Sequence, residues 1–93
     1  MKTTEEKILT NHPQGKSGKN ISRETYDLFK KAIVSTLRAE DLTHTELLAQ
    51  LNKALKGKFA GNISWYAETV KLDLEARNIV ERTASKPQKY QLK

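Results

Sequence analysis

The sequence predicts a mainly α, α+β fold in which three amphipathic helices are closed by a C-terminal β-hairpin. Three observations carry this prediction. Apolar residues recur at helical spacing in three separate stretches, near residues 23–39, 44–56 and 63–77. The third stretch stops at Asn78 and passes directly into the β-rich run Ile79-Val80-Glu81-Arg82-Thr83. The chain has 93 residues, too few to build a second core, so all three stripes must bury against one another.

Residues 1–20 read as a basic N-terminal arm and residues 21–93 as the folded domain. The arm carries one short apolar pair, Ile8-Leu9, before a breaker cluster from His12 to Asn20. Gly15-Lys16-Ser17 in that cluster is not a phosphate-binding loop. That motif needs a glycine five residues before its second one, and position 10 is Thr.

In the domain, Ser22 is placed to cap the first helix, with Glu24 in its first turn. Tyr26, Phe29, Ile33 and Leu37 then form one stripe. Leu42 reads as a short extended piece that adds a third strand to the hairpin. Thr43 and Glu46 form a capping box for the second helix, which carries Leu47, Leu48, Leu51, Ala54 and Leu55 on one face. The connector from Lys56 to Gly61 is longer than the turn of the tightest helix-turn-helix motifs, with Phe59 as its anchor. Asn62 or Ser64 can cap the third helix, where Ile63, Tyr66, Ala67, Val70 and Leu74 share a face. Asn78 suits the end of that helix because Asn tolerates the left-handed conformation. Ala84-Ser85-Lys86-Pro87 supplies a turn, and Ile79, Tyr90 and Leu92 are expected to close the core from one side.

Composition excludes several classes of chemistry. There are no cysteines, hence no disulfide, thiolate metal site or cysteine nucleophile. The two histidines, His12 and His44, lack the spacing of a metal-binding pair, and no metal or cofactor is expected. The carboxylates are scattered and positioned to pair with Lys or Arg, as Asp73 and Arg77 are at i,i+4. None falls in an evidently apolar stretch that would tune it for acid–base work, so the chain reads as non-enzymatic. No apolar run reaches membrane-spanning length and the first residues lack the core of a signal peptide, so no membrane is expected and the cytoplasm is the expected compartment.

The net charge of +6 is unevenly spread. Residues 21–55 balance five basic against five acidic side chains, whereas residues 56–93 hold eight basic and four acidic ones. Such asymmetry fits a polyanion-binding surface. Lysine and arginine on strand edges also serve simply to block edge-to-edge association.

A helix followed by a basic two-stranded hairpin resembles the recognition helix and wing of winged helix-turn-helix domains. The run from Leu74 to Arg82 looks like the helix-to-wing junction of bacterial winged-helix regulators. Asn11-His12-Pro13-Gln14-Gly15-Lys16, Trp65-Tyr66 and the run from Thr69 to Arg77 extend a similarity to a small bacterial family of stand-alone winged-helix proteins over nearly the whole chain. The resemblance implies a three-helix winged helix-turn-helix fold, no effector domain, and a DNA-binding-like module. On that basis Arg82, Lys86 and Lys89 in the wing would reach the phosphates of double-stranded DNA. Lys56 and Lys58 would grip the backbone near the start of the third helix, whose dipole favours anions. Ser64 and Thr69 are the polar residues of the outer helix face able to meet base edges.

The same face also carries Trp65, Leu72 and Ala76, with Glu68, Lys71 and Glu75 along one flank. Apolar residues of this kind mark a contact surface more often than a groove reader. Trp65 and Leu72 are therefore expected to be covered by the arm through Ile8-Leu9, by a second protomer, or by a partner protein. A winged helix used for protein–protein contact or dimerisation is accordingly the alternative to DNA binding.

Overall fold

A computed structural model describes residues 7–10 and 18–93. Residues 1–6 and 11–17, which include His12 and the Gly15-Lys16-Ser17 run, lie outside the described residues. The element order is β1 (Lys7–Leu9), β2 (Asn20–Ser22), α1 (Arg23–Ala39), α2 (His44–Leu55), α3 (Ile63–Ala76), β3 (Val80–Arg82) and β4 (Tyr90–Leu92). The three helices pack on one another pairwise, and β3 and β4 pair antiparallel with Val80 opposite Leu92 and Arg82 opposite Tyr90. The mixed α+β arrangement is winged-helix-like, with β3–β4 as the wing.

Local chemistry sets each helix boundary. The Ser22 side chain accepts the Thr25 N–H at the head of α1. Thr43 and Glu46 complete the capping box of α2, each side chain serving the other's backbone N–H at 3.2 and 2.9 Å. Asn62, not Ser64, caps α3 by accepting the Trp65 N–H at 3.0 Å. At the far end of α3, Asn78 sits at φ 63°, with its N–H on the Glu75 carbonyl and the Ile79 N–H on that of Leu74. This is a Schellman closure, the motif that reverses a helix into a following strand. In the connector, Gly57 takes φ 82°, a conformation costly for any side chain with a Cβ.

Phe29, Ile33, Leu47, Leu51, Val70 and Leu74 are fully enclosed where the three stripes meet. Val80 and Tyr90 close this core from the wing side, with Ile79 and Leu92 packed against it. Leu42 bridges Tyr90 through reciprocal hydrogen bonds of 3.2 and 2.7 Å, adding the third extended segment expected beside the hairpin.

The N-terminal region differs from the expected arm. Its described part is a second antiparallel hairpin in which Ile8 stands opposite Ile21. Ile21 is buried in the main core and Ile8 packs against it. Thr10 continues the pairing one step past Leu9 and Asn20 on the loop side, its N–H and hydroxyl donating to the Lys19 carbonyl while its hydroxyl oxygen accepts the Lys19 N–H. The Thr10 backbone lies so close to Gly18 that any Cβ there would collide with its carbonyl. The hairpin rests on α1, so of the three covers considered for the Trp65–Leu72 face, Ile8-Leu9 is not one.

Candidate functional site

Basic side chains flank α3 along the chain, in the connector before it and in the wing after it. Lys56 caps the C-terminus of α2 and is exposed, at the start of the connector into α3. Lys86 is exposed at the tip of the wing. Lys89 is half-buried on the returning limb, where its backbone exchanges hydrogen bonds with Thr83 at 2.8 and 3.0 Å. Between these groups runs α3, 14 residues long and so about 21 Å from end to end. Its first turn carries no acidic residue, unlike those of α1 and α2, so the positive end of its dipole is uncompensated.

The outward face of α3 shows Ser64 and Trp65 exposed, with Thr69 and Leu72 half-buried. Ser64 accepts a long hydrogen bond, 3.4 Å, from Asn52 of α2. Trp65 is 42% exposed. Its indole stands edge-on to Tyr66, which in turn packs edge-on to Phe59 and, tilted, against Phe29 in the core. The indole is therefore held firmly while remaining open to solvent.

Three side chains sit differently from expectation. Lys71 is not on an exposed flank but only 3% exposed. Its ammonium lies 3.0 Å from Nδ1 of His44 and 3.9 Å from the centre of the Tyr90 ring. The ring face attracts the charge, and an unprotonated Nδ1 accepts from it. Burial, then the Lys71 charge, push the His44 pKa below its ordinary value. Arg82 is drawn back onto α3, where its guanidinium pairs with Glu75 at 2.5 Å and lies over the Tyr90 ring. That pairing leaves less of its charge for an external phosphate. Lys58 is exposed and lines a groove with residues of α1 and α2, none of them on α3.

Asp73 corrects the expectation that no carboxylate lies in an apolar setting, since it is fully buried. It accepts hydrogen bonds from the Tyr26 hydroxyl at 2.5 Å and from Arg77 Nε at 2.8 and 3.0 Å. Desolvation first, then the Asp73 contact, raise the Tyr26 pKa to about 12. With its oxygens occupied by an arginine and a tyrosine, this carboxylate ties α1 to α3.

A family model described as a family of unknown function (DUF6958) matches residues 7–90. The chain belongs to the DUF6958 family. No curated protein and no solved structure matches it. The span matched to DUF6958 begins at the first residue of β1 and reaches the first residue of β4, so it takes in the N-terminal hairpin together with the three helices. Within the described residues no group of three or more His, Asp or Glu side chains could hold a metal ion, and no helix is long and apolar enough to cross a membrane.

Proposed function

We propose that this member of DUF6958 is a winged-helix module that binds double-stranded DNA, holding phosphates at both ends of α3. The observation that carries the proposal is the placement of exposed lysines. Lys56 stands in the connector before the acid-free start of α3 and Lys86 at the wing tip after its end, with half-buried Lys89 on the wing limb, so basic groups flank α3 on both sides along the chain. Lys58 lines the α1–α2 groove and Arg82 is held by Glu75, so both add less to this interface than their charge suggests. Ser64 and Thr69 are the polar groups offered to base edges. Glu68 is exposed on α3 and repels phosphate, which favours binding through the backbone over strong sequence selection.

A salt-series titration with a fluorescent duplex tests this. Each neutralised phosphate contributes about −0.9 to the slope of log K against log salt. Replacing Lys86 and Lys89 together by alanine should flatten that slope by about 2. A duplex that fails to bind at low salt, or an unchanged slope, excludes the wing as a DNA element.

A second function, protein contact or self-association without DNA, is favoured by Trp65. An indole 42% exposed beside a half-buried Leu72 leaves apolar area facing water. Burying it gains about 25 cal/mol per Å². Light scattering across a concentration series distinguishes self-association from DNA binding by a monomer.

A further inference from the structure

Away from the α3 face, a groove of about 290 Å³ opens between α1 and the C-terminal end of α2. Its walls are Leu28, Ala32 and Ser35 on α1 and Ala54 and Leu55 on α2. Lys31 and Lys58 stand on its rim, both exposed. The gap has a plain steric origin, because alanine occupies positions on both helices where larger side chains would meet. Leu28, Ala32 and Ser35 recur at spacings of four and three, so the α1 wall is one continuous stripe along two turns.

We propose that this groove docks an acidic amphipathic helix of a partner protein. The size and shape come first. At about 290 Å³ the space lies at the bottom of the range for small-molecule sites, roughly 300–1,000 Å³, and it is an open trough. A trough walled by two helices, with small residues on both, lets a third helix approach closely and insert apolar side chains at i, i+3 or i+4. The charge of the partner follows from the rim. Among the described residues neither Lys31 nor Lys58 makes an ion pair, not even Lys31 with Asp27 one turn before it. Two unpaired ammonium groups beside an apolar floor match leucines flanked by glutamates and disfavour a basic helix. The surface is separate from the α3 face, so a partner docked here would leave Trp65 and the wing uncovered.

The test uses the full chain, isotope-labelled, and a synthetic 14-residue helical peptide with leucines on one face and glutamates on its flanks. A twin peptide carrying lysine in place of each glutamate is the control. Amide shifts should change at Leu28, Lys31, Ala32, Ala54, Leu55 and Lys58 with the acidic peptide alone. Ala54→Trp, at an exposed position that the fold tolerates, should fill the groove and weaken binding at least about tenfold. Lys31→Glu should weaken it several-fold, most at low salt. No binding by the acidic peptide, equal binding by the basic twin, shifts centred on Trp65, or affinity unchanged in Ala54→Trp would overturn the proposal. Groove shifts caused by duplex DNA and not by the peptide would overturn it too, reassigning the two lysines to phosphate.

Discussion

Asp73, Tyr26 and Arg77 form a buried polar contact between α1 and α3, beside the apolar core. Asp73 is fully enclosed, whereas the Arg77 side chain is 37% exposed. This difference sets the size of the effect when Asp73 is removed. Breaking a wholly buried ion pair typically loses about 3–5 kcal/mol, but here the freed guanidinium can turn to water. The main loss is the stranded Tyr26 hydroxyl, about 1–3 kcal/mol. Asp73→Ala is therefore expected to lower stability by about 1–3 kcal/mol in urea unfolding. The same contact dictates an alkaline response. Folding raises the Tyr26 pKa from 10.0 to about 12, so between these values the folded state holds a proton that the unfolded state has released. The associated stability is complete below pH 10 and is lost as pH rises toward 12. In absorbance titration at alkaline pH, one of the three tyrosines should ionise late or only with unfolding, and Tyr26→Phe should remove that late step.

At the scale of elements, the end of α3 is the most sharply specified boundary. Two hydrogen bonds back to Leu74 and Glu75 turn the chain from α3 into β3 within three residues, and they require the left-handed backbone of Asn78. A β-branched residue there meets the carbonyl clash that disfavours this conformation by about 1–2 kcal/mol. Asn78→Val should therefore destabilise by at least that much, and Asn78→Gly should be neutral or slightly stabilising in thermal unfolding. Because the wing follows directly, Asn78→Val should also disturb the Glu75–Arg82 pair, visible as shifts at the Arg82 side chain. The capping box of α2 is specified as locally, by Thr43 and Glu46 alone.

For the molecule as a whole, the two leading functions compete for one surface, the outer face of α3. Trp65 is the sole tryptophan, so its fluorescence reports that face without interference. With 42% of the residue exposed, the dilute chain should emit at long wavelength and be quenched readily by acrylamide. If DNA binding is the function, emission should stay constant with protein concentration and become protected when duplex is added. A blue shift that grows with concentration and ignores duplex would establish the face as a self-association surface. The two outcomes call for no mutation, so a folding defect cannot imitate either.

Three helices, their caps and the closing hairpin were legible in the sequence because each is written in residues close together along the chain. Ser22 and Thr25, Thr43 and Glu46, and Asn78 with Leu74 lie within one or two turns of each other, and the apolar stripes repeat at the helical period. The exposure of Lys56 and Lys86 was legible for the same reason: they fall in a connector and a turn. The N-terminal hairpin was not, since its signal is only two isoleucines, Ile8 and Ile21, on either side of a long breaker cluster. Nor were the burial of Lys71 and Asp73, whose partners His44 and Tyr26 stand 27 and 47 residues away. Arg82 counted as a free cation until the wing folded back onto Glu75, and the α1–α2 groove exists only because two alanines on different helices face one gap. Helical period and capping are short-range properties that a single segment carries alone. Which charge is paired, and which apolar face is left open, is decided by distance through space, and only the packed chain sets that distance.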